Sequence, residues 1–313
     1  MTYEEFKDQI KESIESRVDK SKRVEINPVL KNNGLVYDAL IIIDPLKNIS
    51  PSIYINHYYE KFKQDTKNFT SEEKIGEIVE EILQLYEENL PAEDFDVTSF
   101  TDFKKARKNI VMKLINTSNN EELLKDIPNV AFHDLSIVFS VVVSNFMNEY
   151  ATILINNHHL SYWDVTVEEL YEIAMKNTPK HLPYSFKDLQ SVMKKLECDL
   201  NLKENLGMNI NTPFPSGLSM YILTNKQNIN GAAVLVYKGL LEKIANELND
   251  SFFIIPSSIN EVLIIPWTEI KGIYTFAELN EMIGQVNRLQ LTRDEVLSNH
   301  AYFYNKNDRS IVY

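Results

Sequence analysis

The chain has 313 residues, of which 44% are apolar and 25% charged, and 45 acidic against 32 basic residues give a formal net charge of −13. These fractions exclude global disorder, and the length allows about two or three domains. A negative field repels nucleic acid and anionic lipid, so direct nucleic-acid or membrane-surface binding is disfavoured, which leaves room for a local basic patch.

In chain order, Tyr3, Phe6, Ile10, Ile14 and Val18 fall at steps of three and four, which predicts a helix over residues 2–19. A hairpin follows, with Val24, Ile26 and Leu30 alternating with polar residues, a turn at Asn33-Gly34 and a second strand from Leu35 to Ile43. Pro28 argues that the first strand lies at an edge, since it has no N–H for the ladder. Ser50-Pro51 is expected to open a helix, and Thr70 with Glu73 to cap the next, whose face is Ile75, Ile78, Val79, Ile82, Leu83 and Tyr86. Leu90 to Ser99 reads as a first linker.

Asn109 to Ile115 predicts a strand, Glu121 to Lys125 a short helix, and Leu135 to Val143 a strand buried on both faces, paired with Tyr150 to Ile155. Thr166 and Glu169 cap a further helix, and Thr178 to Tyr184, with two prolines, is a second linker candidate. A helix carrying Phe186, Leu189, Val192, Met193 and Leu196 opens the last third, followed by an irregular stretch from Glu204 to Gly217. A strand at Met220 to Thr224, a helix from Ala232 to Leu248, strands at Phe252–Ile255 and Val262–Ile265, a helix capped by Thr275 and Glu278, and a closing hairpin complete the pattern. The expected class is α+β in three lobes, 1–95, 96–182 and 183–313. The order helix, hairpin, helix recurs at 2–65, 119–176 and 231–288, which fits three diverged copies of one module or a chance recurrence of a common arrangement.

The chemistry begins with absences. Only 8 glycines occur and no G-x-G is present, so dinucleotide-binding and P-loop fingerprints are missing, as are the G-x-S-x-G, H-E-x-x-H and kinase signatures. Cys198 is the only cysteine, which removes any intrachain disulfide or thiolate zinc cluster. The opening MTYEEFKDQI is charged where a signal peptide is apolar, and no apolar run approaches the ~20 residues that span a bilayer, so a cytoplasmic location is expected. No cofactor, metal site or catalytic residue is assigned.

Several residues carry open alternatives. His158 and His159 are expected at a polar hairpin tip, where neighbouring side chains point apart and share a metal poorly. His133-Asp134 either orients an imidazole for general-base work or finishes a loop. Tyr162 and Trp163 read as packing residues. The basic run Lys104, Lys105, Arg107, Lys108 and Lys113, beside Phe103, reads as a solvated helix face or a nucleic-acid contact. The corner Ile255 to Val262 sets Ser257, Ser258, Asn260 and Glu261 between two apolar strands, a place for a binding site or for a turn that satisfies its own backbone.

Fragments along the chain are similar to an uncharacterised bacterial family, a domain of unknown function frequent in gut-dwelling Gram-positive anaerobes. They are Lys31-Asn32-Asn33-Gly34, Pro51 to Tyr59, Lys113 to Asn116, Asn211-Thr212-Pro213, Met220 to Asn225 with Gly231-Ala232, Ile255 to Val262, and Leu297-Ser298-Asn299-His300. The resemblance implies a bacterial cytosolic protein, often suspected of association with mobile elements, and histidine in place of Asn260, which weakens acid–base catalysis at this corner. It implies no activity. Composition and missing motifs favour a binding or regulatory module acting on a protein partner. The alternatives are a hydrolase using Ser257 or Ser258 with Glu261 and a distant histidine, and an acidic decoy of a nucleic-acid-binding protein.

Overall fold

The computed structural model describes residues 1–64, 70–90, 96–146, 149–198 and 217–313. It is built of helices and antiparallel sheets, the α+β class expected, and divides into two compact units. The smaller holds Met1–Lys31, Leu35–Thr98 and Asn145–Glu149, and the larger Asn32–Gly34, Ser99–Ser144 and Tyr150–Tyr313. Among the described residues, no helix is long and apolar enough to cross a membrane.

In the smaller unit, α1 (Tyr3–Arg17) opens on a capping box in which the Thr2 hydroxyl accepts the Glu5 N–H and the Glu5 carboxylate accepts the Thr2 N–H. Its buried face is Phe6, Ile10 and Ile14. Strands β1 (Arg23–Leu30), β2 (Val36–Ile43) and β3 (Ser52–Tyr54) form a sheet in that order, so Pro28 does lie on an edge strand. The helix expected from Ser50-Pro51 starts later, as α2 (Asn56–Gln64). Ile53 and Ile55 are buried while Ser52 and Tyr54 are not, a period of two that fits a strand and overrides the proline start signal. Thr70 and Glu73 cap α3 (Ser71–Glu88), whose Ile75, Ile78, Val79, Ile82 and Tyr86 join Phe6, Ile10, Leu40 and Ile42 in one core.

The larger unit contains two sheets. In the first, β4 (Ile110–Asn116), β6 (Leu135–Phe146) and β5 (Asn129–Phe132) run in that order, with β7 (Glu149–Leu154) also on β6. The second has the order β13 (Ser310–Val312), β12 (Tyr302–Asn305), β10 (Phe252–Ile255), β11 (Val262–Pro266), β9 (Tyr221–Asn225) and β8 (Tyr184–Asp188). Alternation explains why its central strands read as unbroken apolar runs: Phe252, Ile254, Val262 and Ile264 enter one core, and Phe253, Ile255 and Ile265 the other. Helix Phe276–Gln290 supplies Leu279 and Ile283 to the second of these cores, and helix Leu240–Leu248 supplies Leu241 and Ile244 to the first.

Three local expectations change. Phe186 lies on β8, opposite Leu223, and the helix begins only at Leu189. Residues 178–184, read as a linker, are the last turn of helix Val167–His181 and the start of β8. There the buried Thr178 hydroxyl donates to the Ala174 carbonyl and accepts the Met112 N–H of β4. The helix expected from Ala232 is broken: a 3-10 segment, Gly231–Val236, precedes Leu240–Leu248, with Gly239 at φ +73° between them. Most of the irregular stretch (204–216) and half of the first linker (91–95) lie outside the described residues.

Removing the large buried ring of Phe6 should leave a cavity in the smaller unit. Phe6→Ala is expected to cost about 3–5 kcal/mol there, read as faster hydrogen exchange in α1 and α3. Unchanged protection of both helices would contradict this packing.

Candidate functional site

The loop from Leu291 to Ala301, a strap between helix Phe276–Gln290 and β12, has no ladder of its own, yet its carbonyls are bonded without a gap from Arg293 to Ser298. The Asn33 side-chain amide donates to the carbonyls of Arg293 and Val296, both at 2.7 Å. Asn32 donates to Asp294 at 2.5 Å, Asn116 to Leu297 at 2.9 Å and Asn287 to Ser298 at 3.0 Å. The Glu295 carbonyl takes the Ile259 N–H at 2.9 Å. Asn33 can do this because its backbone is left-handed (φ 57°, ψ 35°), a region that asparagine tolerates. Asn120 locks it in place, accepting the Asn33 N–H and donating to the Asn33 side-chain oxygen and the Asn116 carbonyl.

The fixed strap ends at β12, which Tyr302 opens. Ser298 and His300 from the strap and Tyr302 from the start of β12 converge on one carboxylate, that of Asp134 in the two-residue turn between β5 and β6. Ser298 Oγ donates to Asp134 Oδ2 at 2.7 Å, His300 Nδ1 lies 2.9 Å from the same oxygen, and the Tyr302 hydroxyl donates to Oδ1. Burial pushes the Asp134 carboxyl up, but bonds from Tyr302, His300 and Ser298 outweigh it and hold it below the usual carboxylate range. Burial first, and then the Asp134 charge, raises the Tyr302 hydroxyl far above its ordinary value, so it remains a proton donor. Ser298 is fully buried, whereas the His300 side chain is 54% exposed. The imidazole is thus held by Nδ1, and Nε2 is left for whatever approaches from solvent.

Asp134 was singled out by its neighbour His133, yet its imidazole partner is His300. His133 sits at φ 57°, packed against Phe132, Tyr302 and Tyr313, and burial lowers its pKa. It borders a groove of about 430 Å³, along which Arg309 and Glu242 form an ion pair at 3.1 Å. The signal for the missed residues was the S-x-H-x-Y alternation of Ser298, His300 and Tyr302.

The corner of Ser257, Ser258, Asn260 and Glu261 docks against the same strap. Leu297 N–H donates to the Ser257 carbonyl, Ser298 N–H to that of Pro256, and Ser258 forms a β-bridge with Val296. Ser258 is buried, and its hydroxyl accepts the Asn260 N–H inside the corner. Asn260 accepts the Asn230 N–H through its side chain, and its carbonyl takes the Thr224 hydroxyl. A Cβ on Gly231 would fall 2.0 Å from Thr224 Oγ1 and 2.1 Å from the Asn260 carbonyl, which explains glycine at this approach. Burial, with a smaller contribution from Glu295, pushes Glu261 up to about 7.

The remaining candidates lie elsewhere. His158 and His159 stand on the first turn of helix Asn157–Trp163 instead of a hairpin tip. There His159 Nδ1 accepts the Asn156 N–H, and the ring packs on Phe100 and the buried Trp163, beside the exposed Tyr162. Lys104, Lys105, Arg107 and Lys108 are exposed around two short helical turns, and Lys113 lies on β4. Among the described residues, no three His, Cys, Asp or Glu side chains are grouped to hold a metal ion.

The fold and site define an antiparallel α+β protein that presents a carboxylate-anchored histidine on a strap held by asparagine amides. A family model described as "Family of unknown function (DUF5688)" matches residues 3–306, and the chain belongs to that family. No curated protein and no solved structure shows significant similarity to it.

Two outcomes test this geometry. Asn33→Asp keeps size and tolerance of positive φ but cannot donate, and would set a carboxylate against two carbonyl oxygens. It should cost about 2–3 kcal/mol, read as a lower urea midpoint, and an unchanged midpoint would refute the role of this amide. Glu261, ordinarily at 4.5 and here raised to about 7, binds its proton more tightly when folded. Its contribution is complete below about 4.5 and is lost as pH rises through about 7, amounting to at most ~3 kcal/mol. Urea unfolding at both ends of that window should show a smaller pH dependence in Glu261→Gln than in the parent chain.

Proposed function

We propose that this chain is a bacterial, cytoplasmic binding module that acts through contact with a protein partner, and that the strap face bearing His300 makes the contact. The observation that carries the reading is the exposed imidazole held by a half-buried, triply bonded carboxylate on a loop whose carbonyls are already satisfied. A side chain fixed before binding loses little conformational freedom on association, which favours recognition. The hydrolase alternative at Ser257 and Ser258 gains no support, because the Ser258 hydroxyl is engaged within its own turn. A second reading rests on the Asp134–His300 pair itself: a carboxylate on Nδ1 suits Nε2 to act as a general base on an external substrate.

The test is a tagged pull-down from nuclease-treated host extract, run in parallel with the parent chain and His300→Ala. A stoichiometric protein held by the parent and lost from a normally melting His300→Ala supports the reading. Recovery of the tagged chain alone counts against it and directs effort to turnover of small molecules, with Asp134→Asn as the first comparison. A partner retained equally by the variant would place the contact away from His300.

A further inference from the structure

The smaller unit carries an open cleft of about 660 Å³ walled by four tyrosines, Tyr3, Tyr37, Tyr54 and Tyr59. The sheet dictates part of this arrangement. Tyr54 on β3 lies opposite the small Ala39 of β2, which leaves it beside the diagonal neighbour Tyr37, at 5.7 Å between ring centroids. The first residues of α2 add Tyr59 together with Asn56, His57 and Glu60, and the start of α1 adds Tyr3, 5.0 Å from Tyr59.

The phenol oxygens are largely engaged, so what the cleft offers is ring surface. Tyr3 donates to Asp38 at 2.8 Å, Tyr59 to the Met1 carbonyl at 3.2 Å, and the Tyr54 oxygen accepts from the Lys31 ammonium. Lys7, Lys31 and Lys63 stand over the rings of Tyr3, Tyr54 and Tyr59 at 5.1, 4.2 and 4.9 Å, and none of the three lysines lines the cleft. An ammonium on one face draws π density toward itself. The opposite face then repels a second cation and favours another π system. The rings are also inclined to one another, by 56° for Tyr3 and Tyr59 and 50° for Tyr37 and Tyr54. A planar ligand stacked on one ring therefore meets its neighbour obliquely by the edge, combining the two arrangements that aromatic pairs prefer. Asn56, His57 and Glu60 border this space with donors and acceptors for a polar edge.

We propose that the cleft binds an uncharged aromatic heterocycle with a hydrogen-bonding edge, of the nucleobase class, presented by a free nucleoside. Polymeric nucleic acid fits less well, since its phosphates meet a chain of net charge −13. This site is independent of the His300 reading.

Ligand-observed saturation-transfer NMR on the full chain tests it, with adenosine and uridine as probes and methyl glucoside and tetramethylammonium as controls. Saturation should reach the base protons of at least one nucleoside, with an affinity that falls about fivefold or more in Tyr54→Leu and in Tyr37→Leu, both checked for unchanged melting. Two separate variants keep the test valid if one of them misfolds. Three results would overturn the proposal: no transfer to either nucleoside, preferential transfer to the sugar or the ammonium, or transfer that both variants leave intact.

Discussion

A backbone carbonyl taken from water without a hydrogen-bond donor costs free energy, and the strap from Arg293 to Ser298 has six in a row with neither a helix nor a sheet ladder to receive them. Five are met by asparagine side chains and the sixth by a backbone N–H from the Ser258 corner. The donors come from far apart in sequence: Asn32 and Asn33 near the start, Asn116 at the end of β4, and Asn287 late in the chain. Much of the larger unit's loop structure follows from the need to deliver those amides. The turn at Asn33 must be left-handed, Asn120 must face it, and the corner at Ser258 must present Ile259 N–H outward to Glu295.

The same constraint fixes the electrostatics of the site. With its backbone tied, the strap delivers Ser298 and His300 from the loop, and Tyr302 from the first position of β12, to the same carboxylate. The carboxylate in turn tolerates partial burial only because three donors meet it, which is why its pKa falls despite the burial. Ser298 completes the coupling: its hydroxyl donates to Asp134 while accepting the His300 N–H. Strap geometry and carboxylate charge therefore stand or fall together.

How much of this was legible in the sequence depends on the range of each signal. Local rules worked where a residue's role is set by its near neighbours. Thr70 with Glu73 and Thr275 with Glu278 cap the helices expected of them, Asn33-Gly34 takes the two positive φ values its turn needs, and the alternating Phe252–Ile255 run is a sheet centre. They failed where two local signals competed, as at Ile53 and Ile55, whose period of two outweighs Pro51. They failed again at Phe186, where pairing to β9 outweighs the helical spacing that continues into Leu189. The site was half visible. Asp134 stood out beside His133, but its true partner is 166 positions away, a distance no local pattern spans. The fragments that carried the family resemblance had already marked Asn33, Asn116, the Ser258 corner and Leu297 to His300, and in the larger unit these are the pieces that meet at the strap.

Asparagine is abundant in this chain and glycine is scarce. In the structure the two facts are connected. Among the described residues, four of the seven non-glycine positions with positive φ are asparagines: Asn33, Asn228, Asn230 and Asn249. Glycine would reach those backbone conformations more cheaply, but it brings no side chain. Asparagine accepts a modest backbone penalty and adds a two-donor amide at the point where the chain turns. Asn33 uses both properties at once, since its left-handed backbone aims the amide at the carbonyls of Arg293 and Val296. A glycine there would preserve the hairpin and release the strap, and with it the loop path that sets His300 against Asp134.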